Sequence, residues 1–304
     1  MSEIRVLASD LKFPEGPVAM ADGSVFLVEI AGKTVKRVDP AGGVSVIAET
    51  GGGPNGLARG PDSGLYVCNN GGSEYRAGHV SALGPAKDYV GGSIQRVIPA
   101  TGEVRVLYTH CGQHRLCSPN DIVFDRNGGF YFTDFGKRHA RYRDHGGIYY
   151  ALPDGSHIQE VAYPLLTPNG IGLSVDERVL YVAETETSRL WAFDIESPGV
   201  VRKHGFPSPN GGRIVCGLPG FQRFDSLALD AAGNVCVATL MTGHITVIAP
   251  DGRVLRQLKV PDVYPTNVCF GGTDMCTAFI TLSGKGQLVS MQWPEPGLRL
   301  NFMA

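Results

Sequence analysis

Charge is scarce in this chain. Asp, Glu, Lys and Arg make up 18% of its 304 residues, against about 25% in an ordinary soluble domain. The 27 basic and 29 acidic residues leave a net charge of −2. No Lys/Arg block or basic stripe stands out, which argues against a nucleic-acid partner. Apolar runs are short of the ~18 residues that a membrane-spanning helix needs, so no membrane partner is expected. The opening stretch MSEIRVLASDLKFPEGP has no apolar core of a secretory leader. Seven cysteines spread from Cys68 to Cys276 are an odd number and do not read as a disulfide framework. Reduced thiols and a cytoplasmic location are the expectation. Also missing are the G-x-S-x-G elbow of α/β-hydrolases and the H-E-x-x-H of zinc proteases. No stretch keeps a 3.6-residue apolar period beyond a turn or two, which leaves little room for helices.

Glycine is plentiful: 41 residues, with 20 prolines beside them, where glycine is ordinarily about 7%. The 43% hydrophobic content supplies a sizeable core and excludes a disordered chain. Glycine at every third position, the collagen requirement, is absent.

A short motif recurs. A Pro, Phe or Thr precedes one acid or amide, and a small or apolar run follows. The instances are Pro14-Glu15-Gly16, Pro54-Asn55-Gly56, Pro119-Asn120-Asp121, Pro168-Asn169-Gly170, Phe224-Asp225-Ser226 and Thr266-Asn267-Val268, spaced by 40, 65, 49, 56 and 42 residues. A turn signal follows each motif, such as Asp22-Gly23 or Asn127-Gly128, then a β-branched or aromatic run such as SVFLVEI from Ser24 or GFYFTDF from Gly129. Such residues accept the backbone angles that hairpins demand. Six four-stranded units of this size read as the blades of a propeller. The expected fold is therefore all-β: one six-bladed propeller domain over residues 1–304, four antiparallel strands per blade. The last unit is short of one strand. The N-terminal run IRVLAS (4–9) is expected to complete it and close the ring; the tail LRLNF (298–302) is the competing candidate.

The first strand of each propeller blade lines the central channel. All six motif residues, Glu15, Asn55, Asn120, Asn169, Asp225 and Asn267, then point at one axis. Two unpaired carboxylates in a narrow channel would repel and be costly to desolvate. A cation removes that cost, and an oxygen-only donor set suits hard ions. The alternative is that these side chains cap strands through local backbone bonds.

The motifs FPEGP (13–17), SPND (118–121) followed by YFTD (131–134), TPNGI (167–171) and FDSLALD with GNVCVA (224–238) resemble the gluconolactonase, regucalcin (senescence marker protein) and luciferin-regenerating-enzyme family over essentially the whole chain. The resemblance implies a six-bladed propeller that hydrolyses a lactone with one divalent metal ion, Ca²⁺ first and Mg²⁺, Mn²⁺ or Zn²⁺ as alternatives. It implies Glu15, Asn169 and Asp225 as metal ligands and Asn120 beside the metal in contact with metal or substrate. Asp225 is the implied general base, or nucleophile if the chemistry follows fluorophosphatase relatives. Sugar-lactone members carry Arg two positions before the PND-type Asn; here that residue is Ser118, which leaves a sugar-like or a less hydroxylated lactone as the expected substrate. Ser118, Asn120, Asn55 and Asn267 are the expected substrate-contacting positions.

Two loops are expected over the mouth. The insertion 71–92 holds Glu74, Tyr75, Arg76 and His79; the segment 136–147 holds Lys137, Arg138, His139, Arg141, Tyr142, Arg143 and His145. The second is basic, either as a solvated face or as a surface that steers an anionic substrate. Cys111-x2-His114-x2-Cys117 has zinc-like spacing but only three ligands. Gly51-x-Gly53-x2-Gly56 matches a dinucleotide fingerprint without the helix that the geometry needs. Trp191 and Trp293 are expected to pack between blades. Three functions remain open from sequence: a metal-dependent lactonase, a phosphotriesterase or fluorophosphatase-like hydrolase at the same site, or a Ca²⁺-stabilised binding propeller without chemistry.

Overall fold

The computed structural model describes residues 3–76 and 80–303; His79 lies outside the described residues. These residues form six antiparallel sheets arranged as a six-bladed propeller. Blade one runs Pro14–Ala19, Val25–Glu29, Thr34–Val38, Val44–Glu49 from axis to rim. The innermost strands of the next five blades are Pro54–Arg59, Pro119–Phe124, Pro168–Leu173, Arg223–Leu229 and Pro265–Gly271.

Ring closure follows the first expectation. Ile4–Ala8 pairs antiparallel with Gln287–Gln292 as the outermost strand of blade six, with Ile4 opposite Met291. The tail does not compete for that position. It crosses the opposite face of the ring: Leu298 N–H donates to Leu229 O (2.8 Å), and Asn301 Nδ2 donates to Phe124 O (3.1 Å) and Glu177 Oε1 (2.6 Å).

The core lies between blades. Sheets of alternating side chains have two faces, and in a ring both are covered by neighbouring blades, so second strands such as Phe130–Asp134 and Val235–Leu240 are buried at every position. Trp191 packs in the cluster between blades three and four and Trp293 in that between blades five and six. Cys68 and Cys236 are buried; the other five thiols are half-buried, and all seven are free.

Every motif sits on a β-bulge. The register slips between Glu15 and Val18, Pro54 and Leu57, Pro119 and Ile122, Pro168 and Ile171, Phe224 and Leu227, and Pro265 and Asn267. A bulge twists the strand and re-aims one side chain, here at the top of the channel. The glycine after the motif residue is demanded by packing at the axis. A Cβ on Gly56 would stand 2.4 Å from Asn120 O, and one on Gly170 2.6 Å from Leu227 N. Adjacent innermost strands touch backbone to backbone there, so only glycine fits.

Candidate active site

One end of the channel opens into a cavity of about 190 Å³ whose floor holds Glu15, Asn55, Asn120, Asn169 and Asp225 and whose wall includes Ser118. Five of the six repeated residues and Ser118 thus meet in one place. Asn267 does not line this cavity. Its Nδ2 donates to Glu15 Oε2 at 2.8 Å, its Oδ1 accepts from Val268 N–H, and it borders the cavity at the opposite end of the channel. In blade six the register slips ahead of the motif residue, between Pro265 and Asn267, and Asn267 holds Glu15 from beneath the floor.

Glu15 and Asp225 are both buried. Burial pushes the Glu15 carboxyl up to about 8, against hydrogen bonds from Asn267 and Gly16 N–H (2.6 Å) that pull it down. Burial also raises Asp225, with the Glu15 and Asp121 charges adding to it, while the nearby Asn169 amide and Ser226 N–H pull it down. Among the described residues neither carboxylate has a Lys, Arg or His within salt-bridge distance. Asn169 also donates through Nδ2 to Thr185 Oγ1 at 3.0 Å, and its Oδ1 accepts from Ser226 Oγ at 3.3 Å. Asn120 Oδ1 is buried with no hydrogen-bond partner.

This arrangement fits a hard cation. A buried, unpaired acceptor costs about 1–3 kcal/mol, and two adjacent buried carboxyls cannot both ionise cheaply. A cation between them answers both. The donor set is two carboxylates and amide oxygens, as oxygen-seeking ions prefer. Among the described residues no cluster of three or more His, Cys, Asp or Glu side chains is placed to hold a metal, so amide oxygens are indispensable to this fit. Asn169 turns its nitrogen toward Asp225, and a half-turn of its amide would bring the oxygen there. The Cys111/His114/Cys117 spacing carries no metal geometry: Cys111 Sγ faces Ile158 O and Cys117 Sγ faces Arg115 O.

Three features escaped the motif reading. Asp121, the residue after Asn120, is buried lower in the channel, where burial pushes its carboxyl up to about 7. Arg223, two residues before Asp225, lines the cavity. The third is a second repeat. Glu29, Asn69, Asp134 and Glu184 end the second strands of blades one to four, 14, 14, 14 and 15 residues after the motif residue of each. Each accepts a backbone N–H just before its motif: Lys12 (2.8 Å), Gly53 (2.9 Å), Cys117 (2.6 Å) with Ser118 (2.7 Å), and Leu166 (2.8 Å). That offset of 14 or 15 residues was available in the sequence. These side chains fix the loops that deliver the floor residues. Asp134→Ala would leave the Cys117, Ser118 and Gly136 N–H groups without their acceptor. At about 1–3 kcal/mol for each unpaired donor, the expected loss is roughly 3–5 kcal/mol. Calorimetry should then show a melting temperature lower by roughly 5–10 °C. An unchanged melting temperature would refute the assignment.

The mouth is built by the two expected loops. The insertion forms a hairpin, Ser73–Tyr75 with Ala82–Pro85, and Tyr75 meets Phe13 edge-on at 5.6 Å between ring centroids. From the segment 136–147, Lys137, Arg138 and Arg143 line the cavity, whereas His139 and Tyr142 stack on each other at 4.2 Å. Glu74 and Arg76 are exposed.

The model of the SMP-30/Gluconolactonase/LRE-like region matches residues 13–284. A gluconolactonase of Zymomonas mobilis is 27% identical over 308 aligned residues, covering 92% of this chain and 79% of that protein. Lactonase drp35 of Staphylococcus haemolyticus is 36% identical over 142 residues, 47% of this chain and 42% of its own length. Among solved structures, a gluconolactonase of Xanthomonas campestris superposes with a TM-score of 0.76 at 24% identity, over 96% of this chain and 90% of that one. Regucalcin of Agrobacterium tumefaciens, described as a calcium-binding protein, superposes with a TM-score of 0.72 at 18% identity, over 98% of both chains. With its propeller, its motifs and 13–284 matched, this chain belongs to the SMP-30/gluconolactonase/luciferin-regenerating-enzyme-like family.

Proposed function

We propose that the protein is a lactone hydrolase whose reaction depends on a divalent cation held at the channel floor. The observation that carries this reading is the meeting of two buried, cation-free carboxyls with the unpartnered Asn120 Oδ1 at the bottom of a cavity open to small molecules. Homologues named gluconolactonase and lactonase support the reaction class. The cavity is below the ~300–1,000 Å³ of sites for drug-sized ligands, which suits a single small ring.

Glu15, Asp225, Asn169 and Asn120 would hold the cation, with Ca²⁺ the first candidate. When bound, it would polarise the lactone carbonyl and offset the charge that develops on its oxygen. Asp225 takes the proton of the attacking water, the usual work of a carboxylate at that position. Glu15 is kept in place by Asn267 and Gly16 N–H. Asn120 and Ser118 orient the ring, and Asn55 flanks it from blade two. The Tyr75 hairpin restricts bulk water over the site.

The test is hydrolysis of a lactone panel, read by pH drop, on protein treated with a chelator and then given Ca²⁺, Mg²⁺, Mn²⁺ or Zn²⁺ singly. The panel holds γ-, δ-, sugar and aromatic lactones and one fluorophosphate. Turnover of a lactone that is lost on chelation and restored by one metal is expected. Full activity after chelation would remove the cation from the mechanism; turnover of the fluorophosphate alone would replace the lactone as substrate.

A further inference from the structure

The cavity wall above the floor is cationic. Lys137, Arg138, Arg143 and Arg223 all line it, and among the described residues Glu186 is the only acid on the wall besides the floor pair Glu15 and Asp225. Three of the four cations have a partner. Lys137 is buried, donates to Asn70 O at 2.7 Å and lies 4.5 Å above the Tyr89 ring. Arg138 reaches Ala82 O, and Arg223 pairs with Glu186 at 2.9 Å. Arg143 is different. Its guanidinium stacks over Phe135 at 5.1 Å, its Nη2 stands 3.8 Å from the already paired Glu186, and its Nη1 is buried without a hydrogen-bond partner.

A buried guanidinium N–H without an acceptor is costly, and the planar fork is matched to a carboxylate. The net charge of this wall is positive even after Glu186 is counted. A polyol would offer these cations only neutral hydroxyl acceptors, whereas a carboxylate pairs with them in charge and, with a guanidinium, in shape. Arg143 comes from the loop between the second and third strands of blade three and Arg223 from the inner strand of blade five, so two guanidiniums converge on the mouth from different blades. We propose that the lactone opened at this site carries a free carboxylate, bound by Arg143 and drawn in by the positive wall of Lys137, Arg138 and Arg223. The inference rests on the lactonase reading above and adds the substrate class to it.

The experiment compares one ring in two charge states: 5-oxotetrahydrofuran-2-carboxylate and its neutral carboxamide, with Ca²⁺ present. A charge-assisted fork should favour the carboxylate by roughly 10–100-fold in kcat/KM, chiefly through KM. Arg143→Gln should reduce that preference to within about threefold, and Arg143→Lys, which keeps the charge but not the fork, should fall between. Equal rates for the two rings in the native protein, or a preference that survives Arg143→Gln, would overturn the carboxylate assignment and leave the lactonase reading standing. If neither ring is opened, the lactonase reading fails for this ring, and calorimetric titration with 2-hydroxyglutarate, the ring-opened acid, decides the assignment separately. Binding weakened by Arg143→Gln upholds it; no binding, or binding unchanged in the variant, overturns it.

Discussion

Asp225→Asn should lower kcat by about 10²–10⁴-fold, the usual worth of a positioned proton acceptor, without unfolding the protein. Asn is nearly isosteric with Asp. Its oxygen can still face the Asn169 amide and the Ser226 N–H that lie beside the carboxylate. What disappears is the negative charge. That charge is unfavourable in the cation-free protein, because burial, Glu15 and Asp121 all raise the Asp225 carboxyl. Substitution by a neutral amide should therefore leave the melting temperature at pH 8 equal or higher when a chelator is present. The combination of lost turnover and retained or increased stability separates a chemical role from a structural one. A variant within threefold of native kcat would take Asp225 out of the reaction. Loss of turnover together with a collapsed melting transition would instead place Asp225 among the residues that hold the fold. Single turnover in ¹⁸O-water distinguishes its two chemical roles. Label in the Asp225 carboxylate would show that it attacks the lactone carbonyl and that water then cleaves the resulting anhydride at the Asp225 carbon. Label in the product acid alone is expected if it activates water, and the absence of any anhydride trapped by hydroxylamine separates that from anhydride cleavage on the product side.

The propeller was legible because its grammar is local. A proline stands directly before the channel residue in four of the six blades, and backbone contact at the axis demands a small residue after it in three. Pro54-Asn55-Gly56 and Pro168-Asn169-Gly170 are that demand written as sequence. The missing strand of blade six was visible as a count, and Ile4–Ala8 supplies it. Asn267 shows where the grammar fails. The same residue type at the same repeat position lies on the other side of the floor, and in its blade the register slips ahead of the motif residue rather than across or after it. The fixed spacing to Glu29, Asn69, Asp134 and Glu184 was present but silent, because an acid ending a strand looks like surface until its backbone donors are known. The wall of Lys137, Arg138, Arg143 and Arg223 was only half readable. Three of these residues form a visible basic cluster, yet sequence does not tell a solvated loop from one folded over a cavity, and Arg223 belongs to a different blade altogether.

The floor pair should also make stability depend on pH in a direction opposite to that of a salt-bridged carboxylate. Glu15 moves from its ordinary 4.5 up to about 8 on folding, and Asp225 moves the same way. Between those values the folded protein holds more protons than the unfolded chain, so stability falls as pH rises through this window. In chelator the melting temperature should be highest near pH 5, decline toward pH 8 and level off above it. A bound cation needs the ionised carboxylates, so its stabilisation should grow over the same window. At a concentration 100 times its dissociation constant, a ligand adds about 2.7 kcal/mol, which corresponds to roughly 4 °C in melting temperature for a chain of this size. Differential scanning calorimetry with chelator and with Ca²⁺ at pH 5, 6.5 and 8 measures both slopes. Glu15→Gln should make the chelator curve shallower and shrink the Ca²⁺ shift together, since Glu15 contributes to both while Asp225 keeps part of the slope. A melting temperature in chelator that does not fall between pH 5 and 8 would mean that Glu15 is not held protonated at the channel floor. A Ca²⁺ shift of the same size at every pH would place the ion away from this pair.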